Sequence, residues 1–460
     1  MAGGAPSAAD VAATLRSRAY MGLLVFAAIV GLAVSFLSWG FLELVHQVQV
    51  GVFQDLPKDL GYHDGTPLWF YLPVLAVAGL VTALAIVRLP GNGGHVPAEG
   101  LKTGTTEPAS LPGIVLAGLA SVGLGVVLGP EAPLIALGAG LGLFAIRRVR
   151  GDAPEQAQAM IAATGSFAAL SMIFGSPLIA AVMLIEAAGL GGPTLPLILL
   201  PGLLGAATGS LISIGMGSWT GLSTSAYSLG ALSLPDFARP DAADFGWTIL
   251  LALAVAAGAF LIVRGARALQ PLVTRRPFLL LPAAGLVVAG LGILFHVTSG
   301  KAIGYALFSG QDALSPLVSQ AGTWSLSALA LLVVFKGLAW SVSLAGFRGG
   351  PTFPALFLGA AAGVMASQLP GFPLTPAVAV GMSAGVACIL KLPLSAVVLG
   401  TVLTSKAGLG ASPLIVVGVA VAYLATLALD GLAAPAPRRT SPEPQPSPAR
   451  TGRPTAARAG

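Results

Sequence analysis

Apolar runs cut short by glycine and proline set the limits on this chain. They fall at about 21–42, 68–88, 111–128, 133–146, 157–173, 177–188, 195–214, 247–263, 278–297, 322–345, 352–367, 373–388, 393–404 and 411–429. A hydrocarbon core roughly 30 Å thick takes about 20 helical residues to cross, so runs of about a dozen stop inside it. Backbone freed at such stops is tolerable only where protein or a watery cavity covers it. The solvent has to be lipid: charged residues are 9% of the chain and hydrophobic residues 55%. Soluble domains carry roughly 25% charged residues. The 61 Gly and 35 Pro predict broken rather than straight membrane helices. A single cysteine, Cys388, excludes a disulfide framework and reads as a small apolar helix residue.

The net charge of +6 sits mostly at the ends. Five arginines (438, 439, 450, 453 and 458) face one acid, Glu443, after residue 430, and Arg16 and Arg18 precede the first run. No basic stripe with interleaved aromatics runs through the body, so nucleic acid is not an expected partner. Basic ends read instead as cytoplasmic flanks of a multi-pass protein in the cell membrane. The division expected is a cytoplasmic segment at 1–20, a first membrane repeat at 21–235, a second at 236–430 and a disordered tail at 431–460. The run at 21–42 is too long for a signal-peptide core and reads as the first membrane helix.

The repeats rest on two matches in order. Gly129-Pro-Glu-Ala-Pro-Leu-Ile-Ala-Leu-Gly-Ala-Gly-Leu-Gly142 agrees with Gly350-Pro-Thr-Phe-Pro-Ala-Leu-Phe-Leu-Gly-Ala-Ala-Ala-Gly363 at seven of fourteen positions, an offset of 221. At an offset of 216, Gly165, Ala168, Ile173, Pro177, Leu178, Ala180 and Val182 match Gly381, Ala384, Ile389, Pro393, Leu394, Ala396 and Val398. Paired, interrupted segments in two halves point to a transporter's midplane site.

Gly129-Pro130-Glu131-Ala132-Pro133 opens an apolar run. Proline suits a first helical turn because the amides there lack intrahelical acceptors anyway. Such a start carries about half a positive charge, and in mid-membrane its natural occupant is an anion. Gly350-Pro351-Thr352-Phe353-Pro354 repeats the device, and Gly91-Asn-Gly-Gly-His-Val-Pro97 is a third break. Lys301, Lys336, Lys391 and Lys406 are expected near span edges rather than in a cationic pocket. Only two acids, Glu131 and Glu186, lie in apolar surroundings, and an ionisable group there is functional by default. Glu131 stands at the positive helix start, where its carboxylate can take the anion's place. Glu186 reads as a hydrogen-bonded structural acid or as a proton carrier. Asp312 is expected in a loop.

These motifs resemble the chloride channel (CLC) family of anion channels and proton-coupled exchangers, over about residues 20–430. The family's G-S-G-I-P motif corresponds to Gly93-Gly94-His95-Val96-Pro97, its G-K/R-E-G-P motif to Gly129–Pro133 with Glu131 on the gating glutamate, and its G-G-x-F-A-P motif to Gly349–Pro354. The resemblance implies an all-α polytopic membrane protein of two inverted repeats with broken and tilted helices. It further implies a homodimer with one anion pathway per subunit. Gating or proton transfer would fall to Glu131 and Glu186, and anion contact to Gly94, His95, Val96, Pro130, Ala132, Thr352 and Phe353. Gly94 stands at the family's anion-contacting Ser, and Pro351 stands where an N–H would face the anion. Thr352 takes the family's Phe position, and Ala187 replaces the exchangers' inner glutamate. The family's final helix has no expected counterpart, and Tyr423 lies in the run before it. The resemblance is closest to bacterial ion-transport members.

Arg348 reads as an attractor of anions at a mouth or as a loop anchor. His46, His63 and His296 are expected at span edges, and no histidine pair has metal-ligand spacing. No cofactor is expected, and no Ser–His constellation suggests an enzyme. The expected activity is transmembrane passage of small inorganic anions, chloride first. The alternatives are a proton-coupled antiporter of chloride, fluoride or nitrate, and an unrelated inverted-repeat carrier of organic anions.

Overall fold

A computed structural model describes residues 8–100, 103–192, 194–220 and 229–433. The expected tail therefore lies, from residue 434 on, outside the described residues. The helices are α1 (Ala8–Leu15), α2 (Arg18–Val50), α3 (Leu56–Asp59), α4 (Tyr71–Arg88), α5 (Leu111–Gly118), α6 (Glu131–Val149), α7 (Glu155–Phe174), α8 (Pro177–Ala187) and α9 (Leu195–Thr220). The second half continues with α10 (Ala242–Arg275), α11 (Pro277–Ser299), α12 (Gln311–Ser319), α13 (Leu326–Gly346), α14 (Thr352–Ala366), α15 (Leu374–Leu390), α16 (Pro393–Leu403) and α17 (Ser412–Ala433). Among the described residues nine helices are long and apolar enough to cross a membrane, and α8, α14, α15 and α16 are shorter apolar helices. This is the all-α, broken-helix architecture expected.

Helix ends follow local chemistry. Ser17 caps α2 by accepting from the Tyr20 amide at 3.1 Å. Asp241 and Asp244 cap α10 reciprocally, each side chain accepting the other's amide at 2.9 Å, which is the capping-box arrangement. The first membrane helix is longer than its apolar run. α2 continues past Glu43 because charge alone does not stop a helix, and Gln47 one turn on donates to Glu43 at 2.7 Å.

The duplication appears in packing as well as sequence. A β-carbon on Gly138 of α6 would fall on the Gly165 backbone of α7, and one on Gly359 of α14 would fall on the Gly381 backbone of α15. These pairs are related by the same offsets as the sequence repeat. Close backbone approach through small residues is how helices associate where lipid removes the hydrophobic drive between them. The left-handed turns recur too. Gly175 ends α7 at φ 60° and Lys391 ends α15 at φ 57°.

Two serines stitch the halves to each other. The Arg348 amide donates to Ser121 Oγ at 3.1 Å, and the Val127 amide donates to Ser343 Oγ at 3.3 Å. Each serine stands on the segment before one break and satisfies an amide in the break of the other half. Buried amides in a water-free interior require such partners.

Candidate functional site

The two helix starts singled out in the sequence meet. Glu131 opens α6 and Thr352 opens α14, and both are fully buried. The Thr352 amide donates to Glu131 Oε1 at 2.5 Å. Behind them Gly129 and Gly350 form an antiparallel bridge, with N–O distances of 2.8 and 2.6 Å. A β-carbon on either glycine would land on the Glu131 carboxyl, so the bridge must be glycine for the carboxylate to lie over it. Glu131 Oε2 and Thr352 Oγ1 are buried and have no hydrogen-bond partner. The seat thus holds one carboxylate, with a donor and an acceptor to spare.

Pro130 and Pro351 stand at the N-cap positions of α6 and α14. Neither carries an N–H, so the first amide that α14 offers is that of Thr352. Donation to the bound carboxyl oxygen therefore comes one residue after the position the motif assigns. Ala132 is buried in the first turn of α6. Phe353 is buried and stacked on Phe174, with centroids 5.5 Å apart and planes at 18°; this ring walls the seat from the α7 side.

Gly94, His95 and Val96 occupy the neighbouring loop, each half-buried. Gly94 adopts φ 95° beneath Ile114 of α5, and His95 Nε2 lies 3.0 Å from the Gly100 carbonyl. Arg348 ties this loop to the meeting of α6 and α14. Its Nε donates to the Asn92 carbonyl at 3.2 Å and its Nη1 to the Gly346 carbonyl at 2.8 Å. With 6% of its surface exposed, Arg348 is a loop anchor and not an open mouth's attractor. Thus the structure joins Glu131, Pro130, Ala132, Thr352 and Phe353 directly, and reaches the first break through Arg348.

Glu186 ends up against α16. Its Oε1 accepts from the Leu394 amide at 2.9 Å, and its Oε2 accepts from the Ser395 amide at 2.7 Å and the Ser395 hydroxyl at 2.6 Å. A carboxylate with both oxygens on a helix N-terminus is a cap supplied from another helix. Glu131 and Glu186 of the first half therefore both rest on amides of the second.

Two expectations need correction. Lys336 does not lie at a span edge: it sits mid-way along α13, fully buried. Its ammonium donates to the carbonyls of Tyr305, Leu307 and Phe308 at 3.1, 2.9 and 3.1 Å and lies 4.6 Å from the Phe357 ring centroid. Its charge is tolerated because three carbonyls replace its hydration and an aromatic face lies beside it. It stands ten residues from either end of α13. Asp312 lies not in a loop but in the first turn of α12. No group of three or more His, Cys, Asp or Glu side chains suited to a metal occurs among the described residues.

Residues 98–426 match the family described as voltage gated chloride channel. YfeO of Escherichia fergusonii, which bears an ion-transport name, is 29% identical over 353 residues, 75% of this chain and 79% of that protein. YfeO of an Escherichia coli strain is 30% identical over the same shares. The fold is similar to that of a slow cyanobacterial Cl−/H+ antiporter, with a TM-score of 0.71 at 22% identity over 89% of this chain and 95% of that one. It is similar also to a CLC-type fluoride/proton antiporter, with a TM-score of 0.63 at 19% identity over 88% and 95%. A multi-pass membrane protein, this chain belongs to the voltage gated chloride channel family.

Proposed function

We propose that the chain passes small inorganic anions, chloride first, through a pathway in each subunit of a homodimer in the cell membrane, with its termini cytoplasmic and with Glu131 as the gate. The observation that carries this is the Glu131 carboxylate lying on the Thr352 amide over the Gly129–Gly350 bridge. A carboxylate is an anion on a tether, and a seat that accepts it without a cationic side chain in contact suits a small monovalent anion. Opening requires the carboxylate to leave and a free ion to take its place. Gly94, His95 and Val96 would line the pathway on the other side of the seat.

Passive conduction is favoured over proton exchange by one feature. Ala187 stands where an inner proton acceptor would be needed, and Glu186 next to it has both oxygens committed to α16. The exchange reading draws on the two antiporters of similar fold. The deciding experiment loads reconstituted vesicles with chloride, nitrate, bromide or fluoride and records anion efflux and external pH together. Efflux driven by voltage without proton movement is the expected result. No efflux of any of the four ions would end the proposal.

Glu186→Ala is expected to lower the thermal midpoint of detergent-purified protein, a loss of about 1–2 kcal/mol for a cap, and to leave pH traces flat. Proton movement in the parent protein that disappears in this variant would instead make Glu186 the carrier of an exchanger.

A further inference from the structure

Two cavities adjoin in the second half, away from the seat of Glu131. The larger, of about 580 Å³, lies among α10, α13, α14 and α15, and every residue lining it is apolar. Along α10 its wall runs from Trp247 to Ile262, about 22 Å of helix at 1.5 Å per residue. Leu250, Leu326 and Leu369 line it and are 58, 52 and 40% exposed, so it opens to the bilayer. Apolar cavities stay dry and take apolar guests, and hydrocarbon chains are what these surroundings supply.

The smaller cavity, of about 160 Å³, is lined by four charged side chains, Glu99, Arg267, Lys391 and Asp430. It lies on the face where α10, α15 and α17 end. Ala259 and Ile389 line both cavities, so the polar one sits at one end of the apolar one. Lys391 is left-handed at φ 57°, and among the described residues only Asn92 and Phe308 share that state without being glycine. The equivalent position of the first half is Gly175 at φ 60°, where no side chain is strained. In return for its strain Lys391 holds Asp430 at 2.5 Å, joining the end of α15 to that of α17 beside the cavity. Arg267 makes no ion pair among the described residues. Two charges of each sign sum to zero, so a free anion gains little here. A head group with one phosphate and one ammonium meets a partner for each, and the arginine fork suits the phosphate.

We propose that the two cavities together bind a zwitterionic phospholipid, its phosphate on Arg267, its ammonium between Glu99 and Asp430, and one acyl chain laid along α10 in the apolar cavity. The chain rests against Ala355 and Gly359, and Ala355 stands one turn after Thr352 in α14. Lipid occupancy therefore bears on the helix that completes the seat of Glu131. Binding itself is independent of which ion passes, so it is measured without any flux.

The test counts bound lipid by native mass spectrometry of detergent-purified protein titrated with dioleoyl phosphatidylethanolamine or dioleoyl phosphatidylglycerol. The ethanolamine lipid should bind more tightly. Arg267→Gln should weaken it roughly tenfold, and Arg276→Gln, at the exposed end of α10, should not. Ala259→Trp, which fills the junction of the two cavities, should abolish it. With bromine on the acyl chain, Trp340, which lines the apolar cavity and is 1% exposed, should be quenched. Trp340→Phe gives up an indole N–H that has no partner, so it should elute as the parent does and lose that part of the quenching. Equal affinity in the parent and Arg267→Gln, or quenching that Trp340→Phe leaves intact, would overturn the site. Tighter binding of the glycerol lipid would overturn the pairing of the head group.

Discussion

Glu131→Ala vesicles loaded with chloride empty roughly 10 to 100 times faster than vesicles with the parent protein under the same voltage. The carboxylate on the Thr352 amide is a charge-assisted hydrogen bond, of the kind worth about 1.5–3 kcal/mol. At about 1.4 kcal/mol per decade, its removal frees the seat for permeating anions by that factor. Glu131→Gln keeps the shape and loses the charge, so its flux falls between the two. The gain in Glu131→Ala should be insensitive to pH, because no titrating gate remains. Unchanged efflux in both variants removes Glu131 from the pathway.

The second large effect is on folding. Lys336→Met is expected to cost about 3 kcal/mol, read as a drop in the thermal midpoint and in the yield of monodisperse protein in detergent. Methionine matches the length of the lysine stem and stays apolar, so little volume is lost. What goes is the donor to three carbonyls, Tyr305, Leu307 and Phe308. Each buried group left unsatisfied costs about 1–3 kcal/mol, partly offset because no ammonium has to be desolvated. Lys336→Arg should be worse than its charge suggests, since the planar guanidinium does not fit a compact cradle. A variant as stable as the parent would show that this loop holds its left-handed turn without the cation.

Much of this was legible in the chain because the rules for short apolar helices are local. Glycine and proline at 129–133 and 350–354 mark helix starts, and α6 and α14 begin at Glu131 and Thr352. Proximity of the two starts followed from the duplication, since an inverted repeat brings equivalent ends to one plane. Side-chain destinations were not legible. Nothing near Glu186 announces that its oxygens will meet Ser395, 209 residues on. Lys336 was misplaced because a charge within an apolar run is ordinarily an edge, and the three carbonyls that hold it belong to a loop about 30 residues away in sequence.

The reciprocal bonds between the two breaks have a consequence for biosynthesis. Ser121, Gly129 and Glu131 wait for Arg348, Gly350 and Thr352, so a nascent chain stopped after the first half carries a buried-type acid and bare amides with nothing to satisfy them. Until residue 352 has been delivered, the Glu131 carboxyl lacks the amide that it meets in the folded chain. The seat around Glu131 is therefore a product of both halves and forms only when the second half folds against the first.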